Sequence, residues 1–456
     1  MVYSLIDFLT GANYMNDFIQ LIKSKDISEI KQNLTYSLIG KLACIPIAVF
    51  FISVVIELIK ALTTTISFDL EMYNPYAYTI SYINVIATVF GILAIFLYLL
   101  RLHFDHKLTK KHILKHPSIL LFIIFSIWII ITTAINGFTP YALHGTYYRN
   151  ESLFTFLRYY LIYFMCGVIV TNKQKDFLLH LLMYSSMILV FCNLLDYINM
   201  LNDQFMTLWS SVFYNTNHYG YYLTIVCLVS MSYFLTHEHN LKYLVIFCFN
   251  FIVLIFNNTF GSYLGVLVGL FFAFAISFKV KKINKQRIFT TLIIIILSTI
   301  FVKAVNPLSS GNFVTLSRDL SDITSESQQS KTAGSNRWGL WLYSINKLNK
   351  KPSAYITGYG IEGITDQMSK KTGESRPHNE FLQQVVFFGL PACILYVAAI
   401  FIIYLRGYHY ASTLSIPTIV ALIAAFGYLF QSSFGNTMYY TSPFFFSILG
   451  MAYDHK

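Results

Sequence analysis

Hydrophobic residues along this chain come in long runs separated by short polar breaks. A helical crossing of a bilayer needs about 20 apolar residues, and about twelve stretches approach that length. They are 38–59, 79–100, 117–136, 152–171, 176–195, 217–235, 241–256, 259–278, 288–305, 381–405, 412–430 and 438–453. The pattern predicts an all-α polytopic membrane protein. The seventh and twelfth runs are short, and the seventh meets the eighth at the turn Asn257-Asn258. Ahead of the first run, Val2, Leu5, Leu9, Ala12, Met15, Ile19 and Ile22 recur at helical spacing, with Asp7, Asn16, Asp17 and Gln20 opposite. That spacing predicts an amphipathic helix lying on the membrane surface.

One break is long. Residues 306–378 are polar and precede the tenth run, and loops of this length in compact proteins usually carry function. Within it, SNRWGLWLYSINKLNKKP predicts a helix with Trp338, Trp341, Leu342, Ile345 and Leu348 on one face, capped by Ser335 or Asn336 and stopped by Pro352. Two tryptophans on one face suit a helix resting at the interface. Gly358-Tyr359-Gly360 and Gly363 supply tight turns, without the GxxxxGK[ST] pattern of a phosphate loop. The chain thus divides into an amino-terminal segment 1–37, nine spans in 38–305, the loop 306–378 and three spans in 379–456.

Composition agrees with a membrane location. The chain is 56% hydrophobic and 12% charged, where soluble domains carry about 25% charged residues. The net charge of +11 is concentrated in short loops, with Lys107, Lys110, Lys111 and Lys115 in one and Lys279, Lys281, Lys282, Lys285 and Arg287 in another. Short basic loops between spans face the cytoplasm. This puts 101–116, 172–175, 279–287, 405–410 and both termini inside, and 306–378 outside. A nucleic-acid partner is not expected. All six cysteines fall inside apolar runs without CxxC spacing, so they read as buried hydrophobes. The first 37 residues carry Asp7, Asp17, Lys23, Lys25 and Lys31 and no long apolar core, so no cleavable signal peptide is expected.

Few polar residues on the predicted outer side have catalytic potential. The histidines there are His144, His218 and His378, and the arginines are Arg149, Arg158, Arg337 and Arg376. Arg158 lies two turns inside the fourth run, where an ionisable group is either partnered, functional or snorkelling to the interface. Arg149 stands in a short loop beside Tyr147 and Tyr148. His378, in RPHNEF, abuts the tenth run. Either it is plain loop beside a helix capped by Asn379, or it is a base held at the membrane surface. Glu380 would orient its ring or complete the cap. With no HExxH and no DxD on this side, no metal is expected. A phosphate ligand would then rely on arginines, whose planar forks match phosphate oxygens.

Taken together, HGTYYRNESLFTFLRYYLIYF, FYNTNHYGYYL, GSNRWGLWLYSINKLNKKPSAYITGYGIEG and RPHNEFLQQVVFFGLPA resemble the motifs of the O-antigen ligase and polymerase family. These are membrane glycosyltransferases of the GT-C architecture. The resemblance covers roughly residues 140–400. It implies transfer of a glycan from undecaprenyl diphosphate to an acceptor sugar at the outer face of the bacterial cytoplasmic membrane. Carried over by position, Arg149 and Arg337 would hold the diphosphate and His378 would activate or position the acceptor hydroxyl. Arg158, Arg376, Asn217, Asn379, Glu380 and Tyr148 are expected around the substrate. Relatives often have an arginine near the start of the helix that here begins NNTFGSYLGVLVGL, and none is present; Arg158 or Arg376 would substitute.

The expected function is a polysaccharide polymerase joining lipid-linked repeat units, inverting and metal-independent, with no cofactor. Its expected partners are the lipid-linked donor, a glycan acceptor, the bilayer and other polysaccharide-assembly proteins. The alternative is a ligase that moves finished glycan from the same carrier to another acceptor. A transporter would place ionisable residues near the midplane and show an internal repeat, and neither is evident. A peptidoglycan-type glycosyltransferase would need a carboxylate in the long loop, for which Glu362 and Asp366 are the candidates.

Overall fold

In a computed structural model, the structure describes residues 19–21, 23–24, 26–63, 75–107, 116–145, 150–198, 210–213, 215–237, 240–305, 337–436 and 438–453. The predicted amino-terminal amphipathic helix lies largely outside these residues, as do Arg149, Tyr148 and 306–336 of the long loop. All regular structure among the described residues is helical. In chain order the helices are α1 (Ile27–Asn33), α2 (Tyr36–Thr63), α3 (Pro75–Phe104), α4 (Pro117–Asn136), α5 (Pro140–His144), α6 (Leu153–Phe164) and α7 (Asn172–Tyr197). They continue with α8 (Thr216–Thr236), α9 (Lys242–Asn257), α10 (Phe260–Ser277), α11 (Lys285–Val305), α12 (Arg337–Lys350), α13 (Ala354–Thr357) and α14 (Thr365–Thr372). The last are α15 (Glu380–Phe388), α16 (Leu390–His409), α17 (Ile416–Ser432) and α18 (Ser442–Ala452).

Eight of these helices are long and apolar enough to cross a membrane: α2, α3, α4, α7, α8, α10, α11 and α16. Four shorter apolar helices accompany them, namely α6 with its π-helical extension Met165–Ile169, α9, α17 and α18. Each falls on one of the twelve predicted runs.

Helix α8 sits at the centre, with 94% of its apolar window buried, while the windows of α3, α11 and α16 are only 28% buried. Those outer helices expose Val85, Val89, Ile92 and Phe96 on α3, and Phe289, Ile293, Leu297 and Ile300 on α11. An apolar surface of this kind is costly in water and ordinary against lipid tails. Helices α10 and α17 approach closely because both carry glycine at the crossing. A Cβ on Gly427 would stand 2.5 Å from the Gly265 carbonyl oxygen, so backbone packs directly on backbone, as small residues permit in membranes.

The loops sort into two ends. At one end, basic residues cap helix carbonyls. Lys175 donates to Met451 O (3.1 Å) and Tyr453 O (3.0 Å), Lys282 to Leu414 O (2.5 Å), Arg101 to Lys31 O (2.6 Å), and Arg287 to Phe234 O (2.7 Å). Free carbonyls at helix carboxyl ends attract such cations. The opposite end gathers Glu151 before α6, the turn at Asn258, the segments around α12 to α15, and Phe434 and Asn436 after α17.

Two features differ from the sequence expectation. The run 381–405 is broken, because Gly389 adopts φ 86° and ψ 169° between α15 and α16. Nine-residue α15 is too short to span, so the long helix starts at Leu390, and a Cβ at Gly389 would lie 2.0 Å from Ile356 O. In α12 the buried residues are Leu340, Ser344 and Leu348, while Leu342 and Ile345 are exposed. The inward stripe is therefore rotated from the one that aromatic spacing suggested.

Candidate active site

The RPHNEF segment is built into the bundle by its backbone. Asn379 caps α15, its side chain accepting a hydrogen bond from Leu382 N at 2.9 Å. His378 is held at φ 51°, the left-handed region that costs a non-glycine residue of order 1–3 kcal/mol when imposed by its surroundings. Its N–H donates to Asn436 Oδ1 at 2.9 Å. The last carbonyls of α15 would be orphans at a helix end. Tyr359 N takes Val386 O (2.8 Å), Gly360 N takes Phe387 O (3.0 Å) and the Trp128 indole takes Phe388 O (3.0 Å). The Gly-Tyr-Gly turn thus docks on α15, with φ 68° at Gly358 and 80° at Gly360. Asn136 Nδ2 secures it by donating to Thr357 O at 3.1 Å.

The His378 imidazole is partly open to solvent, and its Nε2 lies 3.3 Å from Glu374 Oε2. Glu374 therefore stands where the sequence reading placed Glu380. Glu380 itself is 1% exposed and points into the bundle, its Oε1 accepting the Tyr396 hydroxyl at 2.6 Å. It lies within electrostatic range of Tyr159, Tyr160, Tyr221 and Tyr428 as well as Glu151. Burial pushes its carboxyl up to about 7.

The candidate arginines have separate surroundings. Arg337 begins α12 half-buried, within electrostatic range of Tyr221 on α8. One turn on, the ring of Trp341 packs 6.4 Å from Phe434. Phe434 and Asn436 share the loop after α17, so α12, through Trp341, and His378 meet one short segment. Arg158 is directed at α3, donating from Nε to Thr88 Oγ1 at 2.9 Å. Arg376 is wholly buried. Its Nη2 pairs with Glu151 Oε2 at 3.0 Å and with Glu362 Oε1, and its guanidinium lies 4.7 Å from the centre of the Phe387 ring. A fully enclosed guanidinium between two carboxylates is not presented to a lipid-borne diphosphate. That departs from its expected place at the substrate.

Asn217 occupies the first turn of α8, where the Asn215 side chain caps its N–H at 2.9 Å. The next residue, His218, packs its ring 4.8 Å from Tyr440 of the loop 433–441. That loop went unremarked in the sequence beyond being a connection. It binds His378 through Asn436 and meets Trp341 of α12 and His218 at the start of α8. Its one legible signal is the dense polar and aromatic run SFGNTMYYTS. Among the described residues, no group of three or more His, Cys, Asp or Glu is placed to hold a metal ion.

Residues 244–397 match the family model described as O-antigen ligase. The matched stretch runs from α9 into α16. It takes in Arg337, Arg376, His378, Asn379 and Glu380, and leaves Arg149, Arg158 and Asn217 outside. No curated protein matches the chain.

Proposed function

We propose that the protein is a polysaccharide polymerase of the cytoplasmic membrane, acting on glycans carried by undecaprenyl diphosphate. The family match supports a glycan-transferring membrane enzyme. The observation that supports the catalytic part of this reading is the His378–Glu374 pair, at the end of the bundle away from the basic helix caps and beside the loop that α12 meets through Trp341. In this reading all twelve apolar helices cross the bilayer, the basic end is cytoplasmic, and the His378 end faces outward at headgroup depth.

His378 accepts the proton of the acceptor hydroxyl, and the Glu374 carboxylate stabilises the imidazolium that forms. The acceptor oxygen attacks the anomeric carbon as its bond to the diphosphate breaks, inverting that centre. The electron pair leaves with undecaprenyl diphosphate, whose charge Arg337 and Arg149 stabilise. The proton then passes from His378 to water. No metal takes part in this scheme.

The test is purified protein in lipid with a synthetic undecaprenyl-diphosphate oligosaccharide, with products resolved on a gel. A ladder of longer lipid-linked products is expected. One transfer to an unrelated acceptor without a ladder would make the protein a ligase. Movement of donor between leaflets with no new glycosidic bond would reject glycan transfer altogether.

A further inference from the structure

In the Arg376 cluster one guanidinium meets two carboxylates, and two of its nitrogens find no acceptor. One guanidinium nitrogen, Nη2, holds both Glu151 and Glu362. Arg376 Nε and Nη1 are buried without an acceptor. Gln383 Nε2 reaches Glu151 Oε2 at 3.3 Å from α15. Buried ion pairs with incomplete hydrogen bonding cost as much as they return, so stability does not explain such a cluster.

Its placement does. Glu151 lies just before the Ser152 cap of α6, whose side chain accepts from Thr155 N. Glu362 has φ 64° and follows the Gly-Tyr-Gly turn that docks on α15. Arg376 is two residues from His378, a span of at most about 7 Å along the chain. Glu362 and, from a distant part of the sequence, Glu151 therefore meet Arg376 at one buried nitrogen, next to the strained histidine. We infer that Arg376, Glu151 and Glu362 form a positioning latch that fixes the 374–379 segment, and with it His378, against α6 and the Gly-Tyr-Gly turn. The latch touches no substrate. The inference rests on the reading of His378 as the base, but it concerns geometry that exists without substrate.

The experiment therefore has a readout apart from turnover. Wild type and the near-isosteric variants Glu151→Gln and Glu362→Gln, all in lipid nanodiscs, are compared by amide hydrogen exchange. The His378 amide is the reporter, because its bond to Asn436 protects it only while the segment is seated. Both variants should raise exchange over 374–379 by tenfold or more, although neither substitution lies there. Glycan transfer should fall about 10²-fold, the cost of a small misplacement of a catalytic group.

Arg376→Lys should change donor KM in the same direction as Glu151→Gln, and the double variant should be no worse than either single one. If Arg376 instead met the diphosphate, Glu151→Gln would tighten donor binding while Arg376→Lys weakened it; that opposite pair of signs would overturn the latch. Unchanged exchange over 374–379 in both Gln variants would overturn it too. Raised exchange in a protein whose wild type transfers no glycan would leave the latch standing and remove the function proposed above.

Discussion

The two ends of this bundle use charge differently. At the basic end, Lys175, Lys282 and Arg287 spend their donors on main-chain carbonyls, and Arg101 divides its own between Lys31 O and the Asp105 carboxylate. Those carbonyls belong to helix ends or to the turns beside them, so the cations complete the scaffold and leave little for a ligand. At the His378 end, cations meet side chains: Arg376 meets Glu151 and Glu362, and His378 meets Glu374. Side-chain partners can be exchanged or reprotonated, whereas a capped carbonyl cannot. The lesson is that cationic residues alone do not mark the site in a membrane protein of this kind; what the cations are bonded to does.

The broadest way to break the comparison is topological, because its outcome is all or none. A cysteine replacing Lys351, exposed after α12, should react with a membrane-impermeant maleimide added to intact cells. A cysteine replacing Lys281, exposed between α10 and α11, should not. The reverse labelling would turn the protein over and detach the proposed chemistry from the outer face.

Next in size are the arginines at the two ends. Arg337→Ala and Arg149→Ala should each lower transfer by about 10³–10⁵-fold, the range for an arginine that stabilises a phosphate leaving group. Lysine should rescue poorly, since it cannot bind two oxygens with one planar fork. Arg287→Ala at the opposite end should reduce the yield of folded protein and leave turnover per folded molecule near wild type. Full activity in both site variants, measured on the product ladder, would end the diphosphate assignment.

His378→Ala should cost about 10²–10⁴-fold in transfer rate with donor binding retained. Removing only its partner, as Glu374→Gln, should cost about tenfold, because the imidazolium is then less stabilised but still forms. Asn379→Ala separates base from cap: it should cost about 1 kcal/mol of helix stability, read as a lower unfolding temperature with turnover largely kept. A near-normal ladder from His378→Ala would leave His378 as a backbone element, pinned at φ 51° for shape alone.

The apolar runs carried the fold, because a span must satisfy its backbone within its own helix, and length and hydropathy are enough to reveal it. The break at Gly389 was hidden in the same way, since a glycine inside FFGLPA reads as one more small membrane residue. Its lack of a side chain becomes necessary only once Ile356 is packed against it. Around the site, the Asn379 cap was legible from spacing. The partners of His378 were not: Glu374 sits four residues back on the loop side, and Asn436 comes from a distant connection. Arg376 misled for a related reason. Sequence shows an arginine beside a histidine, but not the two carboxylates that three-dimensional packing brings to it.

The smallest effect concerns Glu380, a fully buried acid at the site end. Its Oε1 accepts from Tyr396, and the Ser432 hydroxyl also lies beside the carboxyl. A protonated carboxyl would turn Oε2 into a donor toward the surrounding tyrosine hydroxyls. With the folded value raised from 4.5 to about 7, the folded state holds a proton that the unfolded chain gives up. Stability from this group is then full below about pH 4.5 and declines as pH rises through 7, by at most about 3 kcal/mol. Glu380→Gln keeps an acceptor for Tyr396 and supplies a permanent donor on the other side. It should flatten that decline, raising the unfolding temperature by a few degrees at pH 8 and changing little at pH 5. Thermal unfolding in detergent across this range decides the matter. A variant less stable than wild type at pH 8 would mean that Glu380 is ionised in place, and the tyrosine-lined pocket would then be holding a carboxylate rather than an acid.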